Sequence, residues 1–307
     1  MAERVGVLLM AYGTPATPDD IEAYYTHVRR GRPPTPELLA DLRRRYDAIG
    51  GTSPLLERTR AQAAGLAGAL GSGYTVELGM KHAPPFVEDG VAALARAAVS
   101  RVVGVVLAPH YSRLSVGEYA ERAQAAADEH GLDLEMIRSW HVTPEYVDLL
   151  ATYVSDALID VSAAATGRTV ERGPVDIVFT AHSLPSRILS EGDPYPQQLR
   201  ETAEAVAARV PVEQWSVGWQ SAGRTAEPWI GPDVLDVLRD RAGDGFAGVV
   251  VCPAGFVSDH LEVLYDLDVE ARALAGELGL AFARTRMPND DPRFCSMLAD
   301  VVRARAA

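Results

Sequence analysis

Two ring side chains, Tyr12 and His182, hold equivalent positions in a pattern that occurs twice in this sequence. VGVLLMAYGTP (residues 5–15) and VDIVFTAHSLP (residues 175–185) each contain an apolar run, an alanine, a ring, a small residue, any residue and a proline. An apolar run without alternation is typical of a strand buried on both faces. Ligands bind at the carboxyl ends of strands in open parallel sheets, so the pattern predicts a ligand site at each ring.

The chemistry of the second ring leaves two interpretations open. A neutral imidazole accepts protons near pH 7 and binds transition metals, which makes His182 a candidate catalytic or metal-binding group. A histidine just past a buried strand is also a common capping or packing residue. The neighbouring Ser183 lacks the Gly-x-Ser-x-Gly context of a serine nucleophile.

Three carboxylates, Glu262, Asp266 and Glu270, follow one another at four-residue intervals on the helix predicted over residues 259–278. That spacing aligns them in one stripe along the helix. A solvated acidic face is the simpler interpretation. However, like charges at this spacing repel, no Lys or Arg lies between them, and such oxygen donors can pass a cation along a helix. Both interpretations stay open.

A basic, aromatic region precedes residue 54. YYTHVRRGRPP contains Arg29, and DLRRRYDAIGGTSPL contains Arg45, Tyr46 and Ser53. Arginine binds carboxylates through two parallel hydrogen bonds, and a Gly-rich helix start offers backbone N–H groups to anions. Surface arginines often have no specific partner. In a chain this acidic, the region nevertheless favours an anionic ligand, and the interleaved tyrosines favour a large, flat one.

Strand-like runs alternate with segments of helical periodicity, which predicts an α/β fold of two Rossmann-like lobes, each with a parallel sheet flanked by helices. The predicted strands are residues 5–10, 75–80, 102–108 and 134–137, then 175–180, 215–220, 248–252 and 280–284. The third strands also match: nine residues after Pro109 and Pro253 lie Glu118 and Glu262. We predict an N-terminal lobe of residues 1–160 and a C-terminal lobe of residues 161–307, with the connection at residues 162–173.

Composition excludes several classes of function. For a chain of 307 residues, a formal charge of −13 argues against nucleic acid or an anionic membrane as the main partner, since both require clustered cations. Two cysteines, Cys252 and Cys295, provide neither a disulfide framework nor a four-thiolate metal site. Neither a dinucleotide fingerprint nor a phosphate loop occurs. No signal peptide or membrane span is evident, so we predict a cytoplasmic protein. We also predict a monomer, because the sequence shows no exposed apolar stripe that would argue for an obligate dimer.

Taken together, the motifs resemble those of the ferrochelatases, in particular the Gram-positive type that acts on coproporphyrin III. The resemblance covers nearly the whole chain in order, through MAYGTP, DIEAYYTHVRRGRPP, RYDAIGGTSPL, GMKHAPPFVEDGV, LAPHYSRLSVGEY, TAHSLP, GDPYPQQL, VGWQSAG, PWIGPDV and FVSDHLEVLYDLD. It implies two lobes enclosing a porphyrin cleft and the insertion of ferrous iron into the porphyrin. Contact with neighbouring enzymes of haem synthesis would then be transient.

The resemblance also implies roles for particular residues. His182 matches the metal-binding, catalytic histidine, and Glu262 matches its acidic partner. Tyr12 matches a tyrosine on the opposite face of the macrocycle, an axial ligand of the product iron. Residues that match porphyrin-contacting positions are Arg29, Arg45, Tyr46, Ser53 and Tyr119, and those that match a proposed second metal site are Asp266 and Glu270.

Two departures and several alternatives accompany this resemblance. Many relatives hold a cysteine-ligated [2Fe–2S] cluster, which Cys252 and Cys295 alone cannot bind, so we predict no cluster and no cofactor beyond the substrate Fe²⁺. The membrane-associating extension of mitochondrial members is missing. The alternatives are a protoporphyrin IX ferrochelatase, a cobalt or nickel chelatase of the sirohydrochlorin type, and a haem or porphyrin carrier without catalysis. A periplasmic-type binding protein is disfavoured by the missing signal peptide.

Overall fold

The protein contains two four-stranded parallel sheets of the same strand order. This computed structural model describes residues 4–166, 173–212 and 214–307. The first sheet has the order β2-β1-β3-β4 and the second the order β6-β5-β7-β8. The strands are β1 (Val5–Ala11), β2 (Tyr74–Met80), β3 (Arg101–Val106), β4 (Asp133–Ile137), β5 (Val175–His182), β6 (Trp215–Gln220), β7 (Gly248–Cys252) and β8 (Ala281–Arg284).

Helices occupy most of the connections between consecutive strands, because a connection between parallel strands of one sheet must cross over a face of that sheet, and a last helix follows β8. They are α1 (Ile21–Val28), α2 (Pro36–Ala48), α3 (Leu55–Leu70), α4 (Val87–Arg96), α5 (Glu118–His130), α6 (Pro144–Thr166), α7 (Arg187–Ser190), α8 (Tyr195–Ala207), α9 (Val234–Gly243), α10 (Leu261–Val263), α11 (Arg272–Leu278) and α12 (Pro292–Ala306). Within the described ranges, no helix is both long enough and apolar enough to cross a bilayer.

Each sheet forms the centre of a hydrophobic core. In the first, Leu8 and Met10 of β1 pack in a cluster with Val91 and Leu94 of α4. In the second, Val178 of β5 packs in a cluster with apolar residues of α9, β7 and the helix that begins at Leu261. Residues of β1 and β5 are almost entirely buried. This burial on both faces is the reason that their sequences lack polar alternation.

The predicted fold class and all eight strands are confirmed. The identical strand orders also confirm that the two halves share one architecture. The sequence interpretation omitted the C-terminal helix α12, which packs on α3, β3 and β4 and buries Phe294, Leu298 and Val302. The helix predicted over residues 259–278 is interrupted, because residues Leu264–Ala271 form a π-helical segment between α10 and α11.

The contacts divide the chain into two compact units. One unit holds the chain up to Trp140 together with Ser258–Leu261 and Pro288–Ala307, and the other holds His141–Val257 and Glu262–Met287. This division differs from the ranges 1–160 and 161–307. Helix α6 joins the second unit because it packs on β7 and β8. Part of the predicted connection, residues 167–172, lies outside the described residues, and the predicted functional division into lobes stays a prediction.

Candidate functional site

Strand β5 delivers His182 to the carboxyl end of the second sheet. The strand pairs with β6 on one side and with β7 on the other, and His182 is its last residue. The chain after β7 approaches this point closely: a Cβ atom added to Gly255 would lie 2.4 Å from the Ala181 Cβ. The Gly255 N–H donates to the Thr180 carbonyl at 2.9 Å. His182 therefore extends from a strand end whose backbone is held on both sides.

Glu262 lies beside His182, as the sequence predicted. The His182 Nε2 and Glu262 Oε1 atoms are 3.5 Å apart, and the two side chains are 32% and 33% exposed. The other imidazole nitrogen, Nδ1, hydrogen-bonds to the Ser183 carbonyl. Since that carbonyl can only accept, Nδ1 carries a hydrogen and Nε2 faces the carboxylate. The pair thus presents one nitrogen and one carboxylate to solvent and to a ligand.

A side chain of the neighbouring strand β6 holds the backbone of Glu262. Gln220, the last residue of β6, is 1% exposed. Its Oε1 accepts from the Thr180 hydroxyl at 2.9 Å, and its Nε2 donates to the Glu262 carbonyl at 3.4 Å. The amide of Gln220 therefore links the end of β5 to the helix turn that bears Glu262.

Opposing effects act on the pKa of His182. Burial lowers this pKa, but the charge and hydrogen bond of Glu262, the Ser183 carbonyl and the charge of Asp266 raise it, and the net result is a pKa of about 9. His182 is consequently protonated at neutral pH in the metal-free protein. A metal ion must displace this proton before it can bind Nε2.

We expect this pKa to depend on the Glu262 charge. In a Glu262→Gln variant the Coulombic contribution disappears while the effect of burial remains, so the pKa of His182 should fall from about 9. Titration of the imidazole ¹⁵N shifts by NMR, from pH 5 to 10, measures both values. An unchanged pKa in the variant would contradict the pairing of the two side chains.

The second carboxylate of the predicted stripe is buried. Asp266 is 7% exposed and accepts a hydrogen bond from the Ser221 hydroxyl at 2.5 Å. It lies in the π-helical segment, whose wider turn changes the stacking of residues four apart from that of the straight α-helix we predicted. Glu270 is partly buried at the far end of the same segment. No group of three or more His, Cys, Asp and Glu side chains in the described ranges is arranged to hold a metal ion. The metal path through Asp266 and Glu270 stays a prediction.

In the first unit, Tyr12 follows β1 directly and contributes an exposed phenol, with 42% of its surface accessible. The His82 ring lies 4.6 Å from the Tyr12 ring, centroid to centroid. His82 also hydrogen-bonds through Nδ1 to the Nδ1 of His27 at 3.0 Å. Burial, followed by the charges of Lys81, His27 and Arg122, lowers the pKa of His82 to about 3. The ring beside Tyr12 is therefore a neutral imidazole at physiological pH.

Glu118, which matches Glu262 in the repeated pattern, has different partners. Its carboxylate lies 2.5 Å from the buried Lys81 Nζ and 3.4 Å from the exposed Arg30. Arg122 donates to the Lys81 carbonyl at 2.7 Å and binds Glu88 through two hydrogen bonds. The first half therefore neutralises its carboxylate with cations, whereas the second half pairs its carboxylate with a histidine.

The predicted porphyrin-contacting residues differ widely in exposure. Arg29 is partly exposed, donates from Nε to the Arg32 carbonyl at 3.2 Å and lies over the Tyr25 ring at 5.7 Å. Arg45 is 25% exposed and lies 3.4 Å from the Asp41 carboxylate. These two guanidinium groups can reach an anion.

Three further predicted contacts are largely buried. Tyr46 is 2% exposed and shares a hydrogen bond with Thr14, Tyr119 is 4% exposed, and Ser53 is 8% exposed and accepts from the Leu55 N–H before α3. Burial, followed by the negative charge of an ionised Tyr12, raises the pKa of Tyr119. Contact of these three residues with a porphyrin stays a prediction.

Sequence reasoning missed several residues around these positions. Gln220 donates to the Glu262 carbonyl, Ser221 donates to Asp266, and the Trp229 ring lies 6.3 Å from the His182 imidazole. The motifs GMKHAPP and VGWQSAG contain His82, Gln220 and Ser221, but we predicted no role for these residues from the sequence. Their placement after the second strand of each half, at the same sheet edge as Tyr12 and His182, was the available signal.

Both cysteines are buried, free thiols. Burial raises the pKa of Cys252 to about 12 and that of Cys295 to about 11. Metal ligation requires the thiolate, which these environments disfavour. The expected lack of a [2Fe–2S] cluster stays a prediction.

Comparison with known proteins places the chain in one family. The ferrochelatase family model matches residues 4–306. A coproporphyrin III ferrochelatase of Bacillus pumilus is 45% identical, over 98% of this chain and 96% of the relative. Proteins of the same description from Anoxybacillus flavithermus and Listeria innocua are 46% and 43% identical, each over 98% of this chain and 96% or more of the relative.

Solved structures support the fold alone. The sirohydrochlorin chelatase SirB from Bacillus subtilis subspecies spizizenii, in complex with cobalt, has a TM-score of 0.62 at 12% identity, over 99% of this chain and 95% of that one. SirB from Bacillus subtilis with Fe³⁺ has a TM-score of 0.61 at 14% identity, over 99% of this chain and 96% of that one. The two-lobed α/β chelatase fold is therefore shared across distant sequences, and the full-length family match shows that this chain belongs to the ferrochelatase family.

Proposed function

We propose that this protein inserts ferrous iron into coproporphyrin III to give Fe-coproporphyrin III in haem synthesis. The observation that carries the proposal is the His182–Glu262 pair, 3.5 Å apart at the carboxyl end of β5. The relatives at 43–46% identity named coproporphyrin III ferrochelatase support the choice of porphyrin.

The reaction exchanges two protons for one cation. A free-base porphyrin carries two inner N–H groups, and both protons must leave before four nitrogens can bind Fe²⁺. Imidazole and carboxylate together suit both tasks, because a borderline nitrogen and a carboxylate oxygen bind Fe²⁺ and both groups can accept protons as the ion leaves them. Two donors form a weak site, which suits an ion that has to be transferred.

The protonated state of His182 determines the order in which His182 loses a proton, binds the metal and accepts a proton from the ring. With a pKa of about 9, the imidazole is charged until the metal arrives, and binding of Fe²⁺ releases one proton. As the ion leaves Nε2 for the porphyrin, the imidazole becomes a neutral base beside Glu262. With a pKa of about 9 it accepts one inner N–H proton during the transfer, and the Glu262 carboxylate accepts the second and releases it to solvent.

Recognition of the porphyrin depends on its periphery. We assign propionate contacts to Arg29 and Arg45, the two partly exposed guanidinium groups, and further contacts to Tyr46, Ser53 and Tyr119. Tyr12 supplies the axial ligand to the product iron through its exposed phenol. Contacts between cationic side chains of the protein and the propionates of the porphyrin provide binding energy. A rigid site can use this energy to distort the ring and expose its nitrogen lone pairs.

We expect Arg29→Ala to weaken porphyrin binding without removing catalysis. Loss of one charge-assisted hydrogen bond to a propionate should cost about 1–3 kcal/mol in binding free energy. Fluorescence titration with coproporphyrin III measures the affinity. The control is Arg43→Ala, which removes the same charge from an exposed position on α2. Equal losses of porphyrin affinity in the two variants would show that Arg29 acts only through its general positive charge and not through a specific contact.

The function is tested by a grid of metals and tetrapyrroles under anaerobic conditions. We expect the highest rate with Fe²⁺ and coproporphyrin III, a lower rate with protoporphyrin IX, and no turnover of sirohydrochlorin with Co²⁺ or Ni²⁺. Preference for protoporphyrin IX would overturn the substrate assignment. Stoichiometric porphyrin binding without turnover would identify a carrier instead. Cytoplasmic location and a monomeric state stay predictions.

A further inference from the structure

Two histidines of the first unit, His27 and His82, face each other through equivalent ring atoms. His27 lies in α1 and is exposed, and His82 is the second residue after β2. Their Nδ1 atoms are 3.0 Å apart, so one nitrogen carries a hydrogen and the other offers its lone pair. Neutral imidazole is the commonest side-chain ligand of metals. The pair is therefore a candidate metal site that the proposed function does not use.

Neighbouring rings hold the two imidazoles in place. His82 packs on Tyr12, with ring centroids 4.6 Å apart, and its backbone N–H donates to the Tyr12 carbonyl at 2.9 Å. His27 stacks on Phe86, with centroids 5.2 Å apart and an angle of 29° between the planes. Phe86 is in turn bridged to Met80, the last residue of β2. The two nitrogens therefore keep their separation through contacts with strand ends as well as through the hydrogen bond between them.

The His82 ring is available to a cation as a neutral donor. Burial, followed by nearby cationic side chains, lowers the pKa of His82 to about 3, so no proton competes for this ring at neutral pH. Two of these cationic side chains have carboxylate partners. Lys81 lies 2.5 Å from Glu118, and Arg122 binds Glu88 through two hydrogen bonds. These carboxylates offset the positive charge that would otherwise repel a metal ion.

The separation of the two nitrogens also indicates which cation the pair fits. Metals such as zinc bind imidazole nitrogen at about 2.0–2.1 Å, so two nitrogens 3.0 Å apart on one ion enclose an angle of about 95° at the metal. Neighbouring ligands of a square-planar or tetragonal ion enclose a similar angle, about 90°. A tetrahedral ion, which Zn²⁺ prefers, would need nitrogens about 3.3 Å apart. The geometry therefore favours Cu²⁺ or Ni²⁺, the ions that take tetragonal nitrogen and oxygen ligands.

We propose that His27 and His82 form a second metal site, which binds one divalent cation of tetragonal preference, Cu²⁺ or Ni²⁺, through both Nδ1 atoms. On binding, the hydrogen between the rings moves to an Nε2 atom, so both rings coordinate as neutral imidazoles and water completes the coordination. Two protein donors make this a weak site whose ion exchanges with solvent. The inference goes beyond the proposed function, because it requires neither a porphyrin nor the His182–Glu262 pair.

Cu²⁺ binding to the porphyrin-free protein tests this site, in a background where His182→Ala and Glu262→Gln remove the other pair. We expect the electron paramagnetic resonance spectrum of the bound Cu²⁺ to show coupling to two nitrogens. His27→Gln and His82→Gln should each reduce this coupling to one nitrogen. Each should also raise the Cu²⁺ Kd about tenfold or more, since even loss of an outer partner of a metal ligand costs about 10- to 100-fold in affinity.

His130→Gln is the matched control. It makes the same change at an exposed histidine of the same unit, the last residue of α5, and should leave the Cu²⁺ Kd and the spectrum unchanged. Thermal unfolding of the metal-free variants shows whether each one folds. Because His27 is exposed, His27→Gln decides the question if His82→Gln unfolds.

Three results would overturn the inference. They are a Cu²⁺ Kd and spectrum of His27→Gln equal to those of the background protein, an equal loss of affinity in His130→Gln, and tighter binding of Zn²⁺ than of Ni²⁺. The last result would indicate a tetrahedral site. Iron insertion by the wild-type protein is a separate measurement, so failure of the proposed function would leave the Cu²⁺ result intact.

Discussion

Replacing His182 with alanine is expected to lower the rate constant of iron insertion by about 10²- to 10⁴-fold, the usual contribution of a positioned acid or base. The imidazole is the nitrogen donor of the pair with Glu262 and the group whose proton leaves when the metal binds. Its removal takes away both the metal ligand and the proton acceptor. Anaerobic single-turnover absorbance changes, from free base to metalloporphyrin, measure the rate.

Porphyrin binding should survive the same substitution. We assign the propionate contacts to Arg29 and Arg45, which belong to the other unit of the chain, so the affinity for coproporphyrin III should stay within a few-fold. His141→Ala is the matched control. His141 forms another His–carboxylate pair in the second unit, 2.8 Å from Glu201, but it precedes α6 and does not belong to β5. Near-normal insertion by His182→Ala, or equal losses in the two variants, would refute the assignment.

Replacing Glu262 with glutamine is expected to slow insertion by about 10²-fold or more. The substitution keeps the size of the side chain and removes its charge. Two consequences follow. The metal loses its carboxylate donor, and the pKa of His182 falls from about 9 because its largest favourable interaction disappears. The second consequence can be separated from the first through the pH dependence of metal binding.

In the wild-type protein, protons and metal compete for His182. The apparent affinity for Co²⁺ should rise about tenfold per pH unit between pH 6 and 8 and should level off near the pKa of about 9. In Glu262→Gln the plateau should begin at lower pH and at a weaker limiting affinity. Isothermal titration in buffers of different ionisation enthalpy measures both the affinity and the proton released.

Glu201→Gln serves as the matched control for Glu262→Gln. Glu201 also pairs with a histidine, His141, and its side chain is 40% exposed, so the same chemical change is made in a second His–carboxylate pair. Its insertion rate and its Co²⁺ pH profile should equal those of the wild type. An unchanged insertion rate in Glu262→Gln would show that the Glu262 carboxylate takes no part in iron insertion.

The sequence alone determined the alternation of strands and helices, the two similar halves and the candidacy of His182 and Glu262. Periodicity and buried-strand patterns are local properties, and a side chain at a strand end keeps its place in any parallel sheet. Eight strands and the family assignment follow from such patterns. The tertiary structure decided which unit receives α6 and α12, because an apolar helix face does not specify its partner.

Three contacts were likewise decided only by the tertiary structure. They are the hydrogen bond from Gln220 to the Glu262 carbonyl, the hydrogen bond from Ser221 to Asp266 and the ring contact between His82 and Tyr12. These contacts join residues 42, 45 and 70 positions apart, the last being the difference between residue numbers 82 and 12. The raised pKa of His182 has the same origin. Its sign depends on whether burial or a carboxylate brought from another element has the larger effect, and packing settles that balance.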